Sequence, residues 1–278
     1  MDFLNLLLTR AFNAAMYPMA SKPLVGLIIV SAIMGVAMTY LFGKLSPQKR
    51  LQRVVDQSRA QLLGLHLFKD DLSVTFRCQV KLLKVLILRF LYSLPALLVL
   101  AVPSVLILTQ LALHFEHRPL KPGEQVVVAL KLASTSWDRY RDLQITARTN
   151  VILETPPLRD AAAHTIYWRV RASEPSYAIP LRWQVGDEIF EKQLVIAAET
   201  EPIVAISICR PAGHDWTDRL LNPAESSFDI ESPVQKISVN YPLRRTRLFG
   251  WDLPWWGTLL IVSILASFVA RRFLGVRF

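Results

Sequence analysis

The stretch PLVGLIIVSAIMGVAMTYLFG, residues 23–43, holds no charged side chain and stops against Lys44. Coiled as an α-helix it is about 30 Å long, the thickness of the hydrocarbon core of a bilayer. Two further stretches read the same way: 90–113, and 251–272, whose charge-free centre is 253–270. The charges between these stretches set an orientation. Residues 44–89 carry Lys44, Lys49, Arg50, Arg53, Arg59, Lys69, Arg77, Lys81, Lys84 and Arg89 against Asp56, Asp70 and Asp71, a net +7. The tail adds Arg271, Arg272 and Arg277, whereas the long segment from His114 to Pro254 holds 17 basic and 18 acidic residues. Short loops rich in Lys and Arg stay in the cytoplasm. Both basic regions therefore agree on three spans with the N-terminus outside and the C-terminus inside. The expected class is an α-helical membrane protein with a cytoplasmic helical hairpin at 44–89 and an extracytoplasmic all-β domain at 114–250. Its place is the cell (inner) membrane, with the β-domain in the periplasm or outside.

This topology accounts for the formal charge of +10 and pI of about 9.9. In a soluble chain such values would point to nucleic acid; here no specific nucleic-acid partner is expected. The basic hairpin suits anionic lipid or the ribosome surface instead, each cation near an anionic membrane being worth about 1 kcal/mol. The two cysteines, Cys78 and Cys209, fall on opposite sides of the expected membrane, so no disulfide joins them, and neither has a metal-ligand neighbour at C-x-x-C spacing.

Residues 1–22 alternate Asp2, Asn5, Thr9 and Asn13 with Phe3, Leu4, Leu7, Leu8, Ala11, Phe12 and Ala15 at helical steps. That is an amphipathic helix of the outer interface, not a cleaved signal, because the start bears Asp2 instead of a cation. After the first span, Ser46 and Pro47 read as the N-cap and first residue of a new helix. Leu51, Val54, Val55, Ser58, Leu62 and Leu65 give its apolar stripe. Phe68-Lys69-Asp70-Asp71 is the break, with Asp70 or Asp71 capping the return arm, whose stripe is Leu72, Phe76, Val80, Leu83 and Ile87. The result is a hairpin of two roughly 20-residue arms with a short coiled-coil seam. Pro95 and Pro103 can kink the second span. Gly26 and Gly35 allow helices to approach the first, and Trp251, Trp255 and Trp256 anchor the third.

The period changes from 3.6 to 2 after the second span. Gln125–Leu132, Leu143–Ala147, Val151–Glu154, Thr165–Ala172, Tyr177–Val185 and Glu188–Ala197 alternate like strands, and Ile237–Tyr241 returns one more. Their spacing suggests an antiparallel sandwich of immunoglobulin or fibronectin type, with Trp168 and Trp183 in its core. Residues 198–236 show little periodicity. Catalytic signatures such as G-x-S-x-G, a P-loop, G-x-G-x-x-G or H-E-x-x-H are absent from the sequence. His114 and His117 read as an interfacial cap instead of a metal pair. No enzyme activity, cofactor or metal is expected.

Several features together resemble a known family: the outer helix, a first span ending Tyr40-Leu-Phe-Gly-Lys44, a basic hairpin containing Leu62-Leu-Gly-Leu-His-Leu-Phe-Lys-Asp-Asp71, and a second span bearing prolines. The chain looks like the Oxa/YidC-type insertase superfamily, in the three-span branch typified by the third subunit of the ER membrane protein complex. The resemblance covers roughly residues 1–118 and 251–278. It implies a membrane insertase or chaperone without covalent catalysis, whose clients meet the hairpin and a polar inner-leaflet groove. The groove would be lined by Ser31, Thr39, Arg89, Thr109, Gln110, Ser263 and Ser267, and Arg89 is the candidate for the basic residue of such grooves. Hairpin contacts would come from Lys49, Arg50, Arg53, Arg59, Lys69 and Arg77. Partners are then the lipid bilayer and other membrane proteins, as clients or as subunits of one complex. A second reading is a non-catalytic accessory subunit that docks a partner through the β-domain, and a third is a sensor of the envelope.

Overall fold

The computed structural model describes residues 2–67, 72–146, 151–185, 188–197, 202–248 and 250–276. The helices are α1 (Asp2–Met16), α2 (Pro23–Leu45), α3 (Gln48–Leu67), α4 (Leu72–Phe115), α5 (Trp137–Tyr140), α6 (Trp216–Leu221) and α7 (Trp255–Leu274). Of these, α2, α4 and α7 are long and apolar enough to cross a membrane. The chain forms two compact units, one of residues 28–105 and 256–278, the other of 1–27 and 106–255.

The first of these units is helical. Gly35 of α2 lies against the backbone of Ser263 of α7, where a Cβ would meet the Ser263 carbonyl oxygen and lie 2.9 Å from its Cα. This is the close backbone approach that small residues permit between membrane helices. Ser267 of α7 donates its hydroxyl to the Gly35 carbonyl at 3.1 Å across the same crossing. Phe42, Leu51, Ala96, Leu100 and Val276 form a small buried cluster, with Met38 and Tyr92 against it. Ser46 does not cap α3 as expected. Its hydroxyl donates back to Phe42 O at 2.7 Å and accepts from Gln48 Nε2 at 2.6 Å, so it closes α2.

At 44 residues, α4 is a single helix about 66 Å long that joins the second hairpin arm to the second span. It runs through Pro95 and Pro103 without interruption. The hairpin has two arms; the stripe expected on α3 is kept at Leu51, Val54, Val55 and Ser58, whereas on α4 the covered face is another than the sequence suggested. Buried or half-buried positions include Leu51, Val54, Ser58 and Gln61 on α3, with Val55 and Gly64 beside them, and Thr75, Cys78, Leu82, Val85, Arg89 and Tyr92 on α4, with Leu88 beside them. These follow a three-four spacing, the seam of an antiparallel coiled coil. Gly64 meets Cys78 near one end and Arg50 stacks over Tyr92 near the other. The larger apolar residues expected in the seam face outward: Leu62 is 54 % exposed, Phe76 67 %, Val80 53 %, Leu83 60 % and Ile87 52 %. On α4 the covered face is taken by Leu82 and Val85, and the helical step from these turns Leu83 and Ile87 outward. The expected break at 68–71, its capping by Asp70 or Asp71, and the side chains of Leu65 and Leu72 lie outside the described residues.

The other unit holds the β-rich region. Its strands are β1 (Gln125–Leu132), β2 (Ile145–Thr146), β3 (Val151–Leu153), β4 (Leu158–Asp160), β5 (Thr165–Ala172), β6 (Ser176–Val185), β7 (Glu188–Ile196), β8 (Cys209–Pro211), β9 (Val234–Val239), β10 (Thr246–Leu248) and β11 (Trp251–Leu253). One antiparallel sheet has the order β3-β5-β1-β9-β8, with β4 also paired to β5; a second has the order β2-β6-β7. Alternate residues of β1 and β5 are buried, as a strand with one covered face requires. Trp168 of β5 and Trp183 of β6 meet at 5.8 Å between ring centroids, so side chains of both sheets share one core. Strand β9, expected as a return, is central between β1 and β8.

Residues 206–233, which lack periodicity, are held by polar contacts. The ammonium of Lys192, fully buried, pairs with Glu225 and donates to Ser207 O at 2.8 Å. Arg210 donates to Glu191 O at 2.7 Å and to Ser226 O at 2.8 Å, with Phe228 beneath its guanidinium. The outer edge of β7 is thereby occupied: Arg210 takes Glu191 O, the Tyr241 hydroxyl accepts from Val195 N at 3.0 Å, and Leu120 pairs beyond it. Occupied edges do not recruit other strands. Burial among these groups pushes the Cys209 thiol up to about 11. Arg118 grips Glu124 with both nitrogens at 2.7 and 2.9 Å, tying the end of α4 to β1 and holding the Glu124 carboxyl below the usual range.

Candidate functional site

Three of the seven expected groove residues come together. Thr39 of α2, Arg89 of α4 and Ser267 of α7 line one open cavity of about 510 Å³, with Ser93 of α4 as a fourth polar member. The rest of its wall is Met38, Phe42, Leu86, Phe90, Leu97 and Leu100. Ser93 follows Arg89 by one helical turn, so sequence spacing on α4 could have indicated it.

The hydroxyls in this cavity are already committed as donors. Thr39 donates to Gly35 O at 2.8 Å, Ser93 to Arg89 O at 3.0 Å, and the single Ser267 proton is shared between Ser263 O at 2.7 Å and Gly35 O at 3.1 Å. Their lone pairs remain able to accept. Arg89 is different. It is half-buried and makes no ion pair among the described residues. Its guanidinium is thus the strong donor of the cavity, and a cation within an otherwise apolar wall attracts water or an acidic group. The outward apolar stripe of α4, Phe76, Val80, Leu83 and Ile87, runs on to Leu86 and Phe90, which belong to the cavity wall.

The other four residues do different work. Ser31 is fully buried in α2, and the hydroxyl of half-buried Ser263 returns to Leu260 O at 3.1 Å. Thr109 and Gln110 belong to the other unit. There Gln110 donates to the Thr9 hydroxyl at 3.1 Å, and one turn on His114 lies 2.8 Å from Asn13 Oδ1 and 2.6 Å from Gln110 O. Of the polar stripe of α1, Thr9 is therefore buried against α4, and Asn13, although exposed, reaches His114. His117 is half-buried, and its ring is pushed below its ordinary pKa by that burial. Of the expected hairpin contacts, Lys49, Arg50, Arg53, Arg59 and Arg77 are exposed, and Lys69 lies outside the described residues. Among the described residues no group of three or more His, Cys, Asp or Glu is placed to hold a metal. Comparison with protein-family models, curated protein sequences and solved structures finds no match for this chain.

Proposed function

We propose that this protein is an insertase-like membrane chaperone, oriented N-out and C-in, that takes clients at its cytoplasmic hairpin and passes polar segments along the Arg89 cavity. The observation that supports this most is the cavity itself: a half-buried cation without a carboxylate partner among the described residues, next to hydroxyl lone pairs, beside membrane-length helices. Moving a polar tail through hydrocarbon is costly because its groups lose water without gaining partners. A hydrated cavity with Arg89 at its wall lowers that cost, most for an acidic tail. The outward apolar stripe at Phe76, Val80, Leu83 and Ile87 gives a client's apolar segment a place to lie before entry. The β-domain, in this reading an immunoglobulin- or fibronectin-like module outside the membrane, serves partner docking.

The test uses reconstituted vesicles and a reporter client with a short acidic tail. Wild type is expected to give protease protection of the translocated tail, Arg89→Lys most of it, and Arg89→Leu about tenfold less. Each protein is checked for incorporation. Equal protection in wild type, Arg89→Leu and empty vesicles would eliminate the reading and favour an accessory subunit.

A further inference from the structure

Arg244-Arg-Thr-Arg247 places three cations at the far end of the near-neutral segment, just before the third apolar helix. Arg244 serves the backbone. Its N–H donates to Glu116 O at 2.8 Å and its guanidinium to Pro202 O at 2.8 Å, which fixes the strand beside the end of α4. Arg247 reaches Asp252 at 3.0 Å, but both side chains are more than half exposed, so that pair is weak. Arg245 is exposed and makes no ion pair among the described residues.

These arginines and Thr246 form one side of a cavity of about 430 Å³. The other side is Pro23, Leu24 and Leu27 from the start of α2, with Phe115 from the end of α4. Leu27 and Phe115 are each 1 % exposed and give a firm apolar floor. No acidic side chain is among the described lining. The cavity thus joins guanidinium groups to hydrocarbon at the ends of two membrane-length helices, where lipid headgroups lie.

We propose that this cavity binds an anionic phospholipid of the leaflet on the β-domain's side, its phosphate diester held by Arg245 and Arg247 and an acyl chain lying against Leu24. Guanidinium groups pair with phosphate oxygens two at a time, which a lysine does not do. A zwitterionic headgroup fits less well, because the lining offers its ammonium no carboxylate. The site is separate from the Arg89 cavity and does not depend on the proposed insertase role.

The experiment takes the full chain in neutral detergent and counts bound lipid by native mass spectrometry, with phosphatidylglycerol and phosphatidylcholine as probes. Wild type should retain phosphatidylglycerol in preference to phosphatidylcholine. Arg245→Gln with Arg247→Gln should weaken retention about thirtyfold, as the loss of two ordinary cation–lipid contacts would give. Arg271→Gln with Arg272→Gln, which removes the same charge elsewhere, should leave it unchanged. Equal loss in both double variants, or loss in neither, overturns the site. Glycerol phosphate at millimolar concentration should not displace the lipid; displacement would reassign the cavity to a soluble phosphate ester. A photoactivatable phosphatidylglycerol on the wild-type protein needs no variant to fold. Crosslinks are expected within 23–27 or 244–247, and crosslinks confined to other peptides overturn the proposal.

Discussion

Trp168 and Arg89 show how the same sequence yields two kinds of residue. Trp168 is 1 % exposed, lies on a strand whose alternate positions are buried, and packs its ring on Trp183 from the second sheet. Everything about it follows from the hydrophobic effect and packing, so its removal should leave a large cavity. Expressed alone, residues 118–242 are expected to give a soluble β-rich domain in which Trp168→Ala lowers stability by about 3–5 kcal/mol. Urea unfolding read by circular dichroism measures this, and an unchanged midpoint would take Trp168 out of the core. Arg89 obeys no packing rule. A charge beside Phe90, Leu97 and Leu100 is unfavourable for stability, and its position in a cavity wall is the reason to look for a role there.

Among the elements, the helical unit depends on close crossings as much as on apolar area. Gly35 permits the backbone of α2 to touch that of α7, and its carbonyl takes hydroxyls from both Thr39 and Ser267. Gly35→Ala should therefore cost about 1–3 kcal/mol through overpacking, seen as a lower thermal midpoint in detergent. Val36→Leu, on an exposed neighbour, should have no such effect. A Gly35→Ala protein as stable as wild type would refute the crossing. Gly35 was readable from sequence because a small residue in an apolar helix has few other uses. Strands β1 and β5 were readable to the residue because one face of each is covered and period two survives. The hairpin seam was readable on α3, at Leu51, Val54 and Ser58, but not on α4, whose largest apolar side chains mark a face left open while Cys78, Leu82 and Val85 take the covered one. Residues 206–233 were not either: Lys192–Glu225 and Arg210 with Phe228 join positions far apart in sequence, and such pairs leave no period. In the candidate site, Thr39, Arg89 and Ser267 line one cavity, while Gln110 binds the end of α4 to α1 and Thr109 lies in that same other unit. A polar residue in a span looks the same in one dimension whether it faces a cavity or a neighbouring helix.

For the whole molecule, the decisive quantity is which side of the membrane each segment occupies, because both the proposed insertase role and the leaflet of the proposed lipid depend on it. The charge asymmetry is large: +7 over residues 44–89 and three arginines in the tail, against near neutrality over 114–254. Three membrane-length helices, each crossing once, put the hairpin and the tail on one side, and the proposed orientation takes that side as the cytoplasm on the positive-inside rule. The Arg244–Arg247 cluster runs against this bias, yet the whole segment remains balanced by its acidic residues. Cys78 and Cys209 are first replaced by alanine, and a single cysteine is then placed at Ser134 or at Gln57, both exposed positions. A membrane-impermeant thiol reagent applied to intact cells with a permeabilised outer barrier should label the Ser134 position and spare the Gln57 position until the inner membrane is opened. The reverse pattern would place the basic hairpin outside, where no cytoplasmic client could reach Arg89, and would move the lipid cavity to the inner leaflet. Labelling at both positions before the membrane is opened would mean that the three helices do not seal the two segments apart.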